Sequence, residues 1–185
     1  MPSIKEVFYF NGAEHRITRL GLQPLWAELE GILRGFDLKI EERRDGNSAA
    51  GVRSLLDAEF RKLDGWTNKQ TGGVDWTKCL TVNGTTVCLG IEIQISGRSD
   101  LLIVDVVHLR DELTAGNIDV GIIVVPSDAL AVYLTDRVAR FSDAKKAVER
   151  ARATDLPLAI IAIGHDGIGP AIPKRRTRQG QAEGI

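Results

Sequence analysis

Asp75, Glu92 and Gln94 are the residues of this 185-residue sequence whose types and spacing suit chemistry best. They lie in two strand-like runs, residues 74–82 and 85–95, joined by Asn83-Gly84. Asn-Gly is the strongest short signal for a two-residue type I′ turn, and that turn fixes register. Residue 82 then faces 85, and Asp75 faces Glu92, with Gln94 two residues on and on the same face. Like charges opposed across a ladder cost roughly 0.2–1 kcal/mol, a cost that a divalent cation between them would reverse. Both carboxylates are hard oxygen donors suited to Mg²⁺, and the main-chain carbonyl of Ile93 could complete the shell. Gln94 offers an amide oxygen and two N–H donors for holding a water. The set fits phosphodiester hydrolysis, in which the cation polarises the phosphate and stabilises the leaving oxygen. The bland alternative is that Asp75 sits in the loop before the strand and that Glu92 is a solvated strand residue.

The remaining pairs agree with the register: Cys79 faces Cys88, Leu80 faces Val87 and Thr81 faces Thr86. The sequence holds two cysteines without metal-ligand spacing, and they read as small buried hydrophobes of a reduced, cytoplasmic chain. His15, His108 and His165 are far apart and read as surface or core histidines. No Gly-x-Ser-x-Gly, Walker loop or Gly-x-Gly-x-x-Gly competes with the hairpin. No signal-like segment opens the chain, and no apolar run is long enough to span a membrane.

The net charge of −1 carries no global polyanion signal, but its distribution does. Residues 137–152 hold six basic and two acidic side chains, and 174–178 add four more positive charges. Residues 90–130 hold seven acidic and two basic ones, so basic segments flank an acidic zone. That arrangement suits a metal site beside a polyanion-binding surface. Arg137, Arg140, Lys145 and Lys146, with Arg150, are candidate phosphate contacts. A merely solvated helix face is the alternative.

The elements that must position these groups can be read from pattern. Residues 4–10 and 14–20 flank another Asn-Gly, Asn11-Gly12, and predict an opening hairpin. Pro24 starts a helix to about residue 33, and residues 49–63 predict a second. Residues 100–113 are apolar almost all round and predict a buried helix. Residues 118–125 read as a buried strand ending at Pro126, after which Ser127 caps a short helix to about 134. A basic amphipathic helix comes next at 142–153, then a last buried strand at 158–163. A helix between the hairpin and the next strand implies an α/β (α+β) fold with a central mixed sheet flanked by helices. Length and composition, 43% hydrophobic and 26% charged, fit one domain over residues 1–170. The Gly/Pro-rich stretch from 164 leads into a basic tail at 171–185, and both are expected to be loose.

Asp75 followed by Glu92-Ile93-Gln94 resembles the PD-(D/E)XK nuclease motif, with Gln94 where most of those enzymes carry Lys. That variant resembles the BglII/BstYI group of type II restriction endonucleases. The likeness extends to residues 7–14, Pro24-Leu25-Trp26, residues 56–60 with Gly65-Trp66, residues 117–121 and residues 157–161, covering about 5–170. The resemblance implies a homodimeric, Mg²⁺-dependent endonuclease that cuts double-stranded DNA at a palindrome with a GATC core, leaving 5′ overhangs. A cognate DNA methyltransferase would belong to the same system. Asp75 and Glu92 would bind metal and Gln94 would position water. Asp57 matches the place of a polar active-site residue in relatives, with Glu59 the neighbouring candidate. Ser96, Arg98 and Ser99 after the hairpin, and Ser127, Thr135 and Arg137 after the Pro126 strand, are the expected base-reading residues. A nuclease of another purpose, such as repair, and a non-catalytic DNA-binding relative remain alternatives.

Overall fold

The computed structural model describes residues 2–68, 73–97, 99–135 and 137–173. A six-stranded sheet runs in the order β1-β7-β6-β5-β4-β3. Its strands are β1 (Ser3–Tyr9), β3 (Thr67–Asn68), β4 (Trp76–Val82), β5 (Thr85–Ile93), β6 (Val120–Pro126) and β7 (Leu158–Gly164). β5, β6 and β7 are mutually parallel, while β1, β3 and β4 pair antiparallel with their neighbours, so the sheet is mixed as expected. β6 and β7 are buried at every position, as parallel strands covered on both faces must be.

Alternation along β5 divides the core in two. Val87, Leu89, Ile91, Ile93 and Ile95 face a cluster built with α1 (Ala13–Arg19), α2 (Gln23–Arg34) and α3 (Ala49–Phe60). Cys88 faces the opposite cluster, with Leu102, Val106 and Leu109 of α4 (Leu102–Thr114) and Phe141, Ala144 and Val148 of α6 (Phe141–Arg150). Even-numbered residues of β5 therefore look toward α4.

The hairpin has the predicted register, from Val82↔Thr85 through Cys79↔Cys88 to Trp76↔Ile91. Asn83 and Gly84 carry the two positive φ angles of a type I′ turn, 49° and 81°. Asn11 and Gly12 also have positive φ, 44° and 64°, yet they lead into helix α1 and not into a second strand. β1 finds its partner in the distant β7, while Ala13 and Ile17, one helical turn apart, bury against the core. The opening hairpin is thus corrected to a strand, a turn and a helix.

Other expectations change in detail. Residues 99–101 form a short 3₁₀ turn ahead of α4, which is buried on one face only: Ile103 and Val104 are exposed, as is Leu101 in the turn. Ser127 caps α5 (Asp128–Ala131), accepting from Leu130 N–H at 3.2 Å, and this helix is shorter than expected. Cys79 and Cys88 form a disulfide, and Cys79 is exposed, which corrects their reading as small buried hydrophobes of a reduced chain. The stretch after Gly164 is held to the body through residue 173. β8 (Gly167–Ile168) pairs in parallel with β2 (Lys39–Ile40), and Ser48 N–H donates to the Ile172 carbonyl at 2.9 Å. The rest of the predicted basic tail, 174–185, lies outside the described residues. No helix among the described residues is long and apolar enough to cross a membrane.

Candidate active site

The site lies at the end of the β4–β5 ladder, between α3 on one face and α4 on the other. Ser48 starts α3 by accepting from Gly51 N–H at 3.1 Å, and Phe60 stacks on Trp76 of β4 with ring centroids 4.9 Å apart. This cap and stack carry Arg53 and Asp57, one turn apart, to the hairpin. Arg53 donates from Nε to Asp57 Oδ1 at 3.0 Å, from Nη1 to the Ile93 carbonyl at 2.5 Å, and contacts Asp75 Oδ1 through Nη2 at 3.0 Å. Trp76 Nε1–H also donates to Asp57 Oδ1, at 3.1 Å. The other oxygen of Asp75 accepts from Ile93 N–H at 2.8 Å, which pins the carboxylate across the end of the ladder. Burial works against the charge of Arg53, but Asp75 and Asp57 outweigh it and raise its pKa further.

Glu92 looks the other way, toward α4. The residue is only 4% exposed, and its Oε1 lies 3.1 Å from His108 Nδ1. Glu92, Asp105 and His108 each offer a ligand atom, and these atoms lie within 4.8 Å of one another. Burial first, then the charges of Asp75 and Asp105 and a hydrogen bond with Asp75, push Glu92 up to about 10; Arg53 only partly offsets them. Burial, with Asp75 second, raises Asp105 to about 7. Asp105 Oδ2 is buried and has no hydrogen-bond partner among the described residues. Crowded carboxylates that hold protons at neutral pH, and an orphaned carboxylate oxygen among them, are what a divalent cation would relieve. The residues present therefore fit such an ion. The oxygens suit Mg²⁺, while the imidazole would favour a transition metal such as Mn²⁺ over Mg²⁺.

Gln94 is 6% exposed and on the same face as Glu92. Its N–H donates to the Val124 carbonyl at 2.9 Å. Gly97 has φ of 129°, and a Cβ built there would lie 3.6 Å from both polar atoms of the Gln94 amide. Of the sequence candidates, Asp75, Glu92, Gln94, Asp57 and Ile93 thus converge on this end of the sheet. Glu59 does not: its carboxylate pairs with Lys62 at 2.5 Å and lies beside Gly35 at the end of α2. The Ile93 carbonyl, expected to face a metal, accepts from Arg53. Arg53, Asp105 and His108 were missed. They come from two helices, and only the i,i+4 pairing of Arg53 with Asp57 was there to be noticed in the sequence.

The basic residues gather at a separate cleft of about 810 Å³. Arg137, Arg140 and Lys146 line one side, Arg44 and Asp45 another, and Ser99 marks the approach from the turn before α4. Asn47, fully buried, builds the Arg44 wall: its Oδ1 accepts from Glu41 and Ile172 N–H, and its Nδ2 donates to the Glu41 and Tyr133 carbonyls. Three of the expected nucleic-acid contacts sit otherwise. Lys145 lies over the rings of Phe141 and Phe8, 4.7 and 5.1 Å from their centroids. Ser127 is buried as a helix cap, and Thr135 Oγ1 accepts from Ala49 N–H at 3.2 Å. Ser96 comes after β5 and is half-buried, while Arg98 falls outside the described residues.

A mixed sheet flanked by helices, with an acidic cluster at the end of a hairpin, is the architecture of a restriction-endonuclease-like fold. Residues 5–163 match the family described as restriction endonuclease BglII/BglIII, and the chain belongs to that family. It is accordingly a nuclease with DNA as its substrate. No curated protein matches the chain.

Proposed function

We propose that the chain is a type II restriction endonuclease that uses Mg²⁺ to hydrolyse double-stranded DNA at a palindrome with a GATC core, leaving 5′ overhangs. Within the family, the likeness to BstYI in particular motivates the GATC core. The observation that supports hydrolysis best is the meeting of the Asp75 and Glu92 carboxylates beside the orphaned Asp105 oxygen. Asp75, Glu92 and the Ile93 carbonyl would hold the ion, which when bound supplies charge stabilisation to the phosphate and the leaving oxygen. The chain's own groups supply the rest. Asp75 is fixed by Ile93 N–H, His108 sets the orientation of Glu92, and Gln94 orients the attacking water by hydrogen bonding and not by proton transfer. Asp57 acts through Arg53. Arg137, Arg140 and Lys146 in the basic cleft contact phosphates, and Ser96, Arg98 and Ser99 read bases.

A palindrome is read most simply by a two-fold protein, so the enzyme works as a homodimer. The exposed Leu101, Ile103 and Val104 of the α4 region are suited to bury against a second copy. It acts in the cytoplasm as one domain over residues 1–170, alongside a cognate methyltransferase that protects the same sites.

Digestion of plasmid DNA with Mg²⁺, followed by sequencing of the ends, tests the reading. The expected result is discrete fragments with 5′ overhangs at sites sharing GATC. Asp75→Asn and Glu92→Gln should abolish cleavage and leave DNA binding intact. Cuts that track DNA structure and not sequence would make the chain a nuclease of another purpose. Binding without cleavage in Mg²⁺ or Mn²⁺ would make it a non-catalytic relative.

A further inference from the structure

Two oxygens at the end of β5 already share a cation. Asp75 Oδ1 and the Ile93 carbonyl both meet the tip of the Arg53 side chain, at 3.0 Å from Nη2 and 2.5 Å from Nη1 respectively. With the Glu92 carboxylate, these are the oxygens to which the nuclease reading assigns the divalent ion, and the inference rests on that reading. We propose that Arg53 is a positioning residue that serves as a resident cation. Its guanidinium holds Asp75 and the Ile93 carbonyl together in the metal-free chain and gives way when the ion binds.

Geometry and charge both lead there. A planar fork with fixed N–H directions can span a carboxylate and a carbonyl that point to a common place, which a lysine ammonium does less well. Asp75 and Asp57 are mostly buried, with 27% and 17% of their side chains exposed, so leaving them without a partner would be costly. Mg²⁺ takes oxygens at about 2.0–2.1 Å in near-octahedral directions. Nitrogens at hydrogen-bond distance from both oxygens compete with an ion that would coordinate those same oxygens. The guanidinium and the ion are therefore alternatives at this position. Arg53 has a place to remain when its tip is displaced, because its Nε is held separately by Asp57 one turn along α3. The displaced Nη groups stay tethered within the site.

The test is a calorimetric titration with Mg²⁺ alone, and with Mn²⁺ alone, in the absence of DNA. A competitor that makes a charge-assisted hydrogen bond to each oxygen should lower metal affinity by roughly tenfold or more. Arg53→Ala is expected to bind the ion at least that much more tightly than the wild type, and Asp75→Asn introduced into Arg53→Ala is expected to remove the gain. A merely structural role for Arg53 predicts the opposite sign, because Asp75 would lose its orientation. Unchanged or weaker binding by folded Arg53→Ala, or no binding by either protein, overturns the proposal. Should Arg53→Ala fail to fold, the wild type decides. With arginine side chains labelled with ¹⁵N, saturating Mg²⁺ should move the Arg53 Nη signals, which report the contacts to Asp75 and Ile93, and Nη signals that stay in place overturn the proposal. The nuclease reading fails separately: a chain with this metal behaviour that cuts no DNA loses that reading and keeps this one. A chain that cuts DNA but shows no affinity gain does the reverse.

Discussion

Two groups of acids flank the end of β5, and they solve the problem of buried charge differently. On the α3 face, Asp57 and Asp75 share the guanidinium of Arg53 and two N–H donors, from Trp76 and Ile93. On the α4 face, burial and then the charge of Asp75 raise the pKa values of both Glu92 and Asp105, Arg53 offsets this only in part, and His108 is the basic group in contact with Glu92. The first group is satisfied as it stands. The second is unfinished: among the described residues, the buried Asp105 Oδ2 has no hydrogen-bond partner. One residue separates them, because β5 alternates its faces: the Ile93 main chain serves the α3 group while the Glu92 side chain serves the other.

Removing the cation from the satisfied side should have the largest effect on stability. Arg53→Ala in a chelator-treated sample is expected to lose about 3–5 kcal/mol, because it leaves buried carboxylates uncompensated. His108→Ala, on the unfinished side, should change stability by less than about 1 kcal/mol. Urea denaturation of both variants measures the contrast, and equal losses would erase it.

The reverse experiment relieves the unfinished side. The folded chain holds a proton on Glu92 up to about 10, against 4.5 for the ordinary value, so the folded state binds more protons than the unfolded one between those limits. The stability this confers is complete below about pH 4.5 and drains away as pH rises toward 10; Asp105 adds a similar loss between 3.8 and about 7. Glu92→Gln should therefore stabilise the metal-free protein near neutral pH, by on the order of 2 kcal/mol or roughly 4–8 °C in Tm. The advantage should shrink as pH falls toward 4.5 and vanish when the wild type is saturated with metal. Thermal melts across pH, with and without Mg²⁺, decide the point. The same protons must leave when the ion binds, so metal affinity should rise with pH over this window.

Gln94 belongs to the α4 face and does not titrate. Its replacement by Ala should slow single-turnover cleavage by roughly tenfold and leave the shape of the pH profile unchanged. An unaltered rate would reduce Gln94 to a strand residue. The smallest effects belong to the basic cleft. Neutralising Arg137, Arg140 and Lys146 should flatten the salt dependence of DNA binding by about one unit of slope per lost phosphate contact, equally for all sequences. Lys145, stacked on Phe8 and Phe141, should contribute less slope than Lys146.

The hairpin was legible because its turn is local: Asn83-Gly84 fixes the pairing, and the period of two then assigns faces to Glu92 and Gln94. The same dipeptide at Asn11-Gly12 misled, although its backbone angles are also left-handed, because the partner of β1 is the distant strand β7. A turn signal reports the turn and not where the chain goes after it. Arg53, Asp105 and His108 escaped notice for a related reason. Each sits on a helix whose docking angle depends on core packing that no window of sequence contains. Register placed Cys79 opposite Cys88, but burial was assumed for both, and the exposed side of β4 made that wrong for Cys79. The basic cleft was half visible: Arg137, Arg140 and Lys146 stand close together in sequence around the start of α6, whereas Arg44 arrives from a loop.

The buried amide of Asn47 bears on how that loop moves. It ties together the backbone at Glu41, Tyr133 and Ile172, three places remote in sequence, and its own main chain bonds Tyr133 and Thr135. None of the three can loosen while the other two stay as they are. Hydrogen exchange at the Glu41, Asn47, Thr135 and Ile172 amides should then proceed as one event with one opening free energy, so that the Arg44 wall of the cleft opens as a hinged panel and does not fray from an end.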